Sequence, residues 1–441
     1  MTRAFQFNPG FQLGVATAAA QIEGGKVDSN WFHFSEIPGA ILDGSHVKRA
    51  NQHWELFEED IALLNELGIK HYRMSLDWAR IEPEEGVFDE AALERYRTEI
   101  QKMCDLGIHV FLTFHHFSHP QWFEKKGAFL HYENVDAFLR YVEKSLHYVA
   151  DLVSDYCTVN EPNVYAVNTY FFGEWMRYKK SLRNTLQMMN VFIALHIRTY
   201  ELIHQFRKER GYTNTRVSFA HHVRHFTPAT SWPHDQWGAR LLSFLFQEGL
   251  FRASAKGEFS YPFKNLANAE KGQYIDFISL NYYSRGATRC FQDITLSDVP
   301  KNDLGWEIYP EGLIEEARRC YALLPLPIVV SENGCCDNED LFRPRYIYDH
   351  LRLMTKSELP FEAYYHWCFL DNFEWAVGEL ARFGLVHCDY ETQKRTLKKS
   401  AHFYAQMIRD HGVTESSYAA YVEPCRYHRD EVNIVRDYEV D

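Results

Sequence analysis

The sequence predicts an α/β fold, a single (β/α)8 TIM barrel that takes up residues 1–441 as one domain. Three observations predict it. Eight short runs rich in β-branched and aromatic residues follow one another along the chain, stretches with helical periodicity separate them, and no linker, repeat or low-complexity tract interrupts the series. Barrels of this kind exceed the usual length of one domain, so 441 residues are compatible with a single unit.

The predicted strands each end near a polar residue of the kind that carries chemistry. They cover residues 13–18, 70–76, 110–114, 156–160, 217–221, 277–283, 328–331 and 363–369. Parallel strands need long crossover connections. Helical stretches, for example 54–67, 91–106, 137–153 and 186–206, supply these connections, and eight strand–helix units close into a barrel.

The composition excludes several classes of function. A formal net charge of −13 argues against a nucleic acid or an acidic membrane surface as the partner, because both attract basic patches. Apolar stretches are far shorter than a membrane span, and the N-terminal residues lack the apolar core of a secretory signal. Nine scattered cysteines without repeated spacing fit reduced thiols, so we expect a cytoplasmic protein. The oligomeric state stays open.

Two glutamates stand at predicted strand ends beside chain breakers. Glu161 lies in Thr-Val-Asn-Glu-Pro at residues 158–162, where Pro162 is expected to keep Glu161 extended and to stop the strand. Glu332 lies in Ser-Glu-Asn-Gly at residues 331–334 and is expected to end its strand in the same way. A lone glutamate is usually a surface residue. Two at the active end of one barrel, however, suggest the acid and the nucleophile of a glycosidase.

These motifs and a third, Trp-Cys-Phe-Leu-Asp-Asn-Phe-Glu-Trp at residues 367–375, resemble the signatures of glycoside hydrolase family 1, the retaining β-glucosidase and β-galactosidase family. The match runs in the family's order from residue 11 to residue 395. Only the C-terminal tail, from about residue 413, has no counterpart in the family, and its packing stays open.

The resemblance implies that Glu161 is the acid/base and Glu332 the nucleophile, with the two carboxyl groups roughly 5 Å apart. It implies that Arg73 hydrogen-bonds Glu332 and keeps it ionised, and that Tyr283 donates its hydroxyl to Glu332. The negative charge of Glu332 favours a protonated Glu161 until Glu332 is esterified by the sugar, so Glu161 can act first as acid and then as base. Judged from the residues alone, Arg73 could be an ordinary interior ion pair and Tyr283 a core aromatic.

The resemblance also implies a ring of side chains around the sugar, since each hydroxyl removed from water needs a new partner. Trp367 is expected to form a stacking floor, Trp306 to stack on the leaving group and Asn160 to contact the 2-hydroxyl. Outside these motifs, most aromatic residues belong to the core. The full set of substrate-binding candidates is Gln21, His116, Asn160, Asn281, Trp306, Trp367, Glu374 and Trp375.

Glu374 indicates whether the substrate carries a phosphate. Relatives that cleave 6-phosphorylated sugars carry Ser at this position and a Lys downstream, whereas this chain has Glu374 and no Lys at residues 377–383. A carboxylate accepts hydrogen bonds from vicinal hydroxyls and repels a phosphate. We therefore expect an unphosphorylated substrate.

Some positions depart from the family pattern. Phe117 replaces the usual Trp after the sugar-binding His, which removes an N–H donor, and Ser118 replaces a common Asp. The preferred glycone therefore cannot be borrowed from relatives. Cys368 replaces a Ser, which we interpret as a packing change. The segment 31–51 is short for the family, so the pocket rim is expected to be more open.

The expected function is that of a retaining exo-β-glycosidase acting on terminal, non-phosphorylated β-D-glucosides in small-molecule β-glycosides or short oligosaccharides, with β-galactosides and β-fucosides as further candidates. A transglycosylase of the same mechanism is not separated from it by sequence. A non-catalytic sugar-binding barrel would lack one of the glutamates, and thioglucoside enzymes typically carry Gln at the position of Glu161.

We expect neither a cofactor nor a metal. The histidine clusters at residues 115–119 and 221–225 do not show the carboxylate or Cys complement expected of a metal site, and no nucleotide-binding motif occurs.

Overall fold

Eight parallel strands form a closed ring in the computed structural model, which describes residues 3–429. Each predicted run overlaps one strand, so the prediction of a (β/α)8 barrel is confirmed. The strands are β1 Gln12–Ala16, β2 His71–Ser75, β3 His109–His115, β4 Asp155–Asn160, β5 Arg216–Pro228, β6 Ile278–Arg289, β7 Ile328–Asn333 and β8 Phe361–Trp367.

The hydrogen-bonded order of the strands is β5-β4-β3-β2-β1-β8-β7-β6, and pairing of β5 with β6 closes the ring. Neighbouring strands are parallel throughout, as shown by Tyr72 opposite Val110 and Ala220 opposite Ser279. All strand C-termini therefore meet at one end of the barrel, where enzymes of this fold carry their active sites.

Helices fill the connections between the strands. The α-helices of the described chain are α1 Ala19–Ile22, α2 Asn30–Ser35, α3 His53–Glu66, α4 Trp78–Ile81, α5 Glu90–Asp105, α6 Gln121–Lys125, α7 Val135–Val149, α8 Pro162–Ala166, α9 Leu182–Glu209, α10 Pro233–Ser243, α11 Gly249–Lys256, α12 Pro310–Leu323, α13 Arg343–Lys356, α14 Lys399–Asp410 and α15 Glu415–Ser417. The four predicted helical stretches correspond to α3, α5, α7 and α9. Side-chain caps set two of their starts, because Asp89 accepts from the amides of Ala91 and Ala92, and Ser181 accepts from that of Asn184.

Strands β5 and β6 are longer than the predicted runs 217–221 and 277–283. They continue side by side past the barrel rim, with Phe226 opposite Gly286 and Pro228 opposite Thr288. A short strand, Gln292–Ile294, folds back on β6 as an antiparallel hairpin. Further two-stranded pairs join Phe5–Gln6 to Gly412–Val413 and Val386–Cys388 to Arg395–Leu397.

Alternate strand positions fill the interior of the barrel with small and aromatic side chains. This buried cluster includes Ala16, Phe111, Cys157, Ala220, Phe277, Val329, Ala363 and Tyr365. A larger apolar layer packs the helices against the outside of the strands. The barrel is thus a packed core below its active end.

The part of the tail that the structure describes, up to residue 429, packs against the rest of the chain. Cys425 is buried with Phe342 and Tyr346, and the hydroxyl of Tyr427 donates to Asp349 at 2.7 Å. The remainder of the tail, residues 430–441, lies outside the described residues. From residue 3 to residue 429, no helix combines the length and the apolar character needed to cross a bilayer.

Candidate active site

A cavity of about 410 Å³ opens at the C-terminal ends of the strands. Of the predicted site residues, those that line it are Glu161, Glu332, Tyr283, His116, Trp306, Trp367, Glu374 and Trp375. The other four, Arg73, Gln21, Asn160 and Asn281, are fully buried and bond to lining residues or to each other. The structure thus brings the predicted residues together around one cavity.

Glu332 lies between two donors. Nη1 of Arg73, from β2, donates to Oε1 of Glu332, and the hydroxyl of Tyr283, from β6, donates to Oε2 at 2.6 Å. Arg73 is itself held by Asn160, whose Oδ1 accepts from Nη2 at 2.7 Å. Both carboxyl oxygens of Glu332 therefore have fixed partners that favour the charged form.

Opposing effects act on the pKa of Glu332. Burial raises its pKa to about 7, the positive charge of Arg73 opposes this, and the negative charge of Glu161 adds to it. Burial alone would lower the pKa of Arg73, but the charge and hydrogen bond of Glu332, together with the other acidic groups nearby, raise this pKa above its usual value. Arg73 thus stays charged while Glu332 ionises near neutral pH.

Glu332 does not end its strand, which corrects the expectation from sequence. Strand β7 continues to Asn333, and Glu332 pairs with Asn281 of β6. The residue after Asn333 must be a glycine, because a Cβ on Gly334 would lie 1.7 Å from the carbonyl oxygen of Trp367. The Ser-Glu-Asn-Gly motif therefore records a close approach of β7 and β8 directly beside the carboxylate.

Glu161 is not extended, so the prediction for the residue before Pro162 was wrong. Strand β4 ends at Asn160, and Glu161 adopts φ 44° and ψ 59°, in the left-handed region. Its amide donates to the carbonyl of Ala220 at 2.9 Å, and the chain then turns at once into α8. An extended residue would carry the chain onward instead of into this turn. The strained backbone directs the side chain into the cavity.

Two side chains hold one oxygen of Glu161. Nδ2 of Asn281 donates to Oε1 at 2.9 Å, and Nδ1 of His222 lies 2.8 Å from the same atom. In the sequence, His222 stands out only as part of a histidine cluster that does not suit a metal, so this contact was not predicted. The signal was the strand period of two, which places His222 on the same face of β5 as Ala220 in the barrel interior.

At the other end of the cavity, Nε2 of Gln21 donates to Oε2 of Glu374 at 3.2 Å and to the carbonyl of Phe373 at 2.9 Å. Oε1 of Gln21 and Nδ1 of His116 are buried and have no hydrogen-bond partner among the described residues. Burial raises the pKa of Glu374 to about 8, and the charge of Glu332 adds to the effect. Unpaired buried polar atoms beside a cavity are suited to a ligand rich in hydroxyls.

Aromatic rings form the walls of the cavity. The ring of His116 is nearly parallel to that of Trp367, with centroids 5.6 Å apart, and to that of Trp375, at 6.0 Å. Trp306 is 39% exposed at the mouth, 6.0 Å from the ring of Tyr283. Phe117 also lines the cavity, where it offers no donor. The walls are thus suited to the C–H faces of a sugar ring.

The two histidine clusters do not converge as metal ligands within the described chain. His119 bonds Glu124, five residues further along the chain, at 2.5 Å, and His225 bonds the distant Glu316 at 2.8 Å. From residue 3 to 429, the one group of His, Asp and Cys side chains close enough to share an ion is that of His234, Asp235 and Cys290, which lies outside the cavity lining.

Comparison with known proteins agrees with this geometry. The family model described as Glycosyl hydrolase family 1 matches residues 3–413. Beta-glucosidase A from Acetivibrio thermocellus is 31% identical over 456 aligned residues, which cover 92% of this chain and 99% of that protein. A beta-galactosidase from Pyrococcus woesei is 25% identical, with 92% of this chain and 97% of that protein covered.

Solved structures show the same likeness. A beta-glycosidase from Pyrococcus horikoshii superposes with a TM-score of 0.87 at 30% identity, covering 98% of this chain and 100% of that chain. A beta-glucosidase from Thermotoga maritima in complex with castanospermine gives a TM-score of 0.86 at 27% identity, covering 93% of this chain and 100% of that chain. The likeness therefore extends over both the barrel and the loops that build the cavity.

Proposed function

The chain belongs to glycosyl hydrolase family 1 and is a glycoside hydrolase, and from this premise we propose that it is a retaining exo-β-glycosidase that cleaves terminal, non-phosphorylated β-D-glucosides. β-Galactosides and β-fucosides are the further candidate substrates. The observation that carries the proposal is that Glu161 and Glu332 line one cavity in unlike surroundings.

In the first step, the carboxylate of Glu332 attacks the anomeric carbon and forms an ester bond to the sugar. The bond between this carbon and the glycosidic oxygen breaks at the same time, and Glu161 gives its proton to that oxygen. In the second step, Glu161 removes a proton from water, the oxygen of which attacks the same carbon and releases Glu332. Two inversions at one carbon retain its configuration.

The surroundings of the two carboxyl groups support this division of roles. Glu332 receives an N–H from Arg73 and an O–H from Tyr283, so its charged form is bound by fixed donors. Within the described chain, Glu161 is bonded by Asn281 and His222 and by no Arg or Lys. Of the two groups, Glu332 is therefore the one suited to the ionised role of the nucleophile, and Glu161 is left for the role of proton donor.

The unphosphorylated glycone is supported by what surrounds Glu374. The Oε1 atom of Gln21 and the Nδ1 atom of His116 are unpaired and suit neutral hydroxyls. The cavity lining contains no Lys, and its Arg224 is 2.5 Å from the carboxylate of Asp293. A phosphate would therefore meet a carboxyl group without a dedicated cation.

The expected partners are small β-glycosides or short oligosaccharides. Trp306, partly exposed at the mouth, is placed to stack on a leaving group. All nine cysteines lie in the described chain and are free, which agrees with a reducing compartment such as the cytoplasm.

The test is a panel of aryl glycosides, with α- and β-linkages and several glycones, followed by NMR of the first-formed sugar. We expect turnover of β-linked substrates only and a β-anomer before mutarotation. Transfer to an acceptor sugar would appear in the same spectra as a new glycoside. An α-anomer as the first product would refute the retaining mechanism.

A further inference from the structure

The two carboxyl oxygens of Glu161 have different surroundings. Oε1 is bonded by Asn281 at 2.9 Å and by His222 at 2.8 Å, whereas Oε2 has no hydrogen-bond partner among the described residues. Oε2 is also not sealed off, since Glu161 lines the cavity. Oε2 is therefore the oxygen that is available to a substrate.

The amide of Asn281 has a fixed orientation. Its Oδ1 accepts from the hydroxyl of Ser331 at 2.7 Å, and that hydroxyl accepts in turn from Ser279 at 2.7 Å. The Nδ2 atom of Asn281 must then face Asn160 and Glu161, and its two hydrogens bond Oδ1 of Asn160 and Oε1 of Glu161. One lone pair of Oε1 is thus permanently occupied.

Because of this arrangement, only one tautomer of His222 is compatible with Glu161 acting as an acid. A proton on Oε1 would point at His222, away from the glycosidic oxygen. For Glu161 to act as an acid, its proton must sit on Oε2, and Nδ1 of His222 must then carry a hydrogen and donate it to Oε1. The contact is a specific N–H bond to the catalytic carboxyl group and not only a packing contact.

The ring of His222 is held in place on several sides. It stacks at 18° on Tyr283, with centroids 5.9 Å apart, and Phe246 packs edge-on at the same distance. The backbone carbonyl of His222 accepts from Nδ2 of Asn163 at 2.9 Å. The side chain is 14% exposed, on the cavity wall. The imidazole is therefore pre-oriented toward Glu161 before a substrate binds.

We propose that His222 is a positioning residue for Glu161, which keeps Oε2 aimed at the glycosidic oxygen and stabilises the carboxylate that forms after proton transfer. The inference rests on the proposed function and assigns it a residue outside the predicted set. The bond from Nδ1–H strengthens when Glu161 loses its proton, because hydrogen bonds to charged groups are stronger than those to neutral ones. His222 thus assists proton donation in the first step. It also holds the base in position for the second step.

Two nearly isosteric variants separate this role from packing. His222→Asn retains an N–H close to the position of Nδ1, whereas His222→Leu has a similar shape and no donor. Phe246→Leu serves as a packing control, since it alters the wall behind His222 and leaves the N–H in place. Thermal unfolding of all four proteins shows whether each variant is folded. Each is assayed with aryl β-glucosides of graded leaving-group ability, with and without azide.

We expect His222→Leu to lose about tenfold or more in kcat/KM on poor leaving groups, the equivalent of one charge-assisted hydrogen bond, and little on good ones. Azide can attack the glycosyl-enzyme without help from a base. It should therefore raise the turnover by His222→Leu of substrates with good leaving groups. His222→Asn should recover most of the loss. Equal losses of kcat/KM in the Asn and Leu variants, or a loss that does not depend on the leaving group, would overturn the inference. The proposed function would still hold in that case, provided that the wild type cleaves with retention. A wild type without glycosidase activity would overturn both.

Discussion

The hydroxyl of Tyr283 donates to Oε2 of Glu332 at 2.6 Å, so a neutral donor from β6 completes the solvation of a carboxylate that Arg73 already holds from the other side. The bond lowers the pKa of Glu332, against burial, which raises it to about 7. Tyr283 thereby helps to set the pH above which the nucleophile is charged.

Tyr283→Phe should therefore shift the acid limb of the kcat/KM profile. The nucleophile works only when ionised, so activity is lost as the pH falls through about 7 in the wild type. Loss of the hydroxyl removes a donor to the charged form of Glu332, so the acid limb should move to higher pH. At pH values on the acid side of the limb, kcat/KM should then fall about tenfold relative to the wild type. An unchanged limb would show that the hydroxyl does not stabilise the ionised nucleophile.

Removal of each glutamate should have a different effect. Glu332→Ala should abolish turnover, and azide or formate should restore it with a product of opposite anomeric configuration. Glu161→Ala should still react with a good aryl leaving group, which needs little protonation, and should fail on natural substrates. The comparison uses the same substrates and azide concentrations for both variants. If both respond alike, the roles assigned to Glu161 and Glu332 are wrong.

Glu374 should exclude 6-phosphorylated sugars in a pH-dependent way. Its pKa is raised to about 8, so the carboxyl group of the free enzyme becomes charged as the pH rises through that value. At an effective dielectric of about 20, two unit charges 4 Å apart repel by roughly 4 kcal/mol, an upper limit for a cavity open to water. The ratio of kcat/KM for free over phosphorylated glucoside should favour the free sugar at every pH and increase above pH 8.

Glu374→Ser should reduce this ratio chiefly by lowering activity on the free substrate, since no Lys at residues 377–383 is available to bind phosphate. The decisive data are kcat/KM values for both substrates in both proteins at pH 6 and pH 9. A wild-type preference for the phosphorylated sugar would contradict the assignment.

Glu374 should also reduce stability at alkaline pH. The folded protein keeps the proton up to about pH 8, whereas the unfolded chain releases it near 4.3. The folded state thus binds more protons between these values, so the free energy of unfolding falls as the pH rises across the interval. Glu374→Gln carries no titrating group, and its Tm should exceed that of the wild type at pH 8 by about 2 °C or more. The difference should disappear below pH 4, and a constant difference would point to packing instead.

Much of the site was predictable because its signals are local. The neighbours of Glu161 and Glu332 in their motifs and the strand spacing were enough to predict that both carboxylates face one cavity at the C-terminal barrel end. The contact of Arg73 with Glu332 followed from the resemblance, and the structure contains it. These features depend on residues that are close in sequence or on the order of the strands.

Other features depend on contacts that no single segment encodes. The left-handed backbone of Glu161 results from a turn into α8 while its amide stays bonded to Ala220 of β5. The bond from His222 to Glu161 joins a residue of β5 to the residue that follows β4, and this contact becomes visible only once β4 and β5 are paired. The packing of Cys425 likewise depends on a surface assembled from distant residues.

Glu332 should form a covalent bond to the sugar during turnover, and mass spectrometry tests for this bond directly. A 2-deoxy-2-fluoro-β-glucoside with a good leaving group slows the second step, because the fluorine disfavours positive charge on the ring and removes the 2-hydroxyl contact. Incubation followed by digestion should yield a single peptide that carries the sugar mass on Glu332, with loss of activity in step with labelling. Labelling of Glu161 instead, or turnover of this substrate without any adduct on Glu332, would contradict the account.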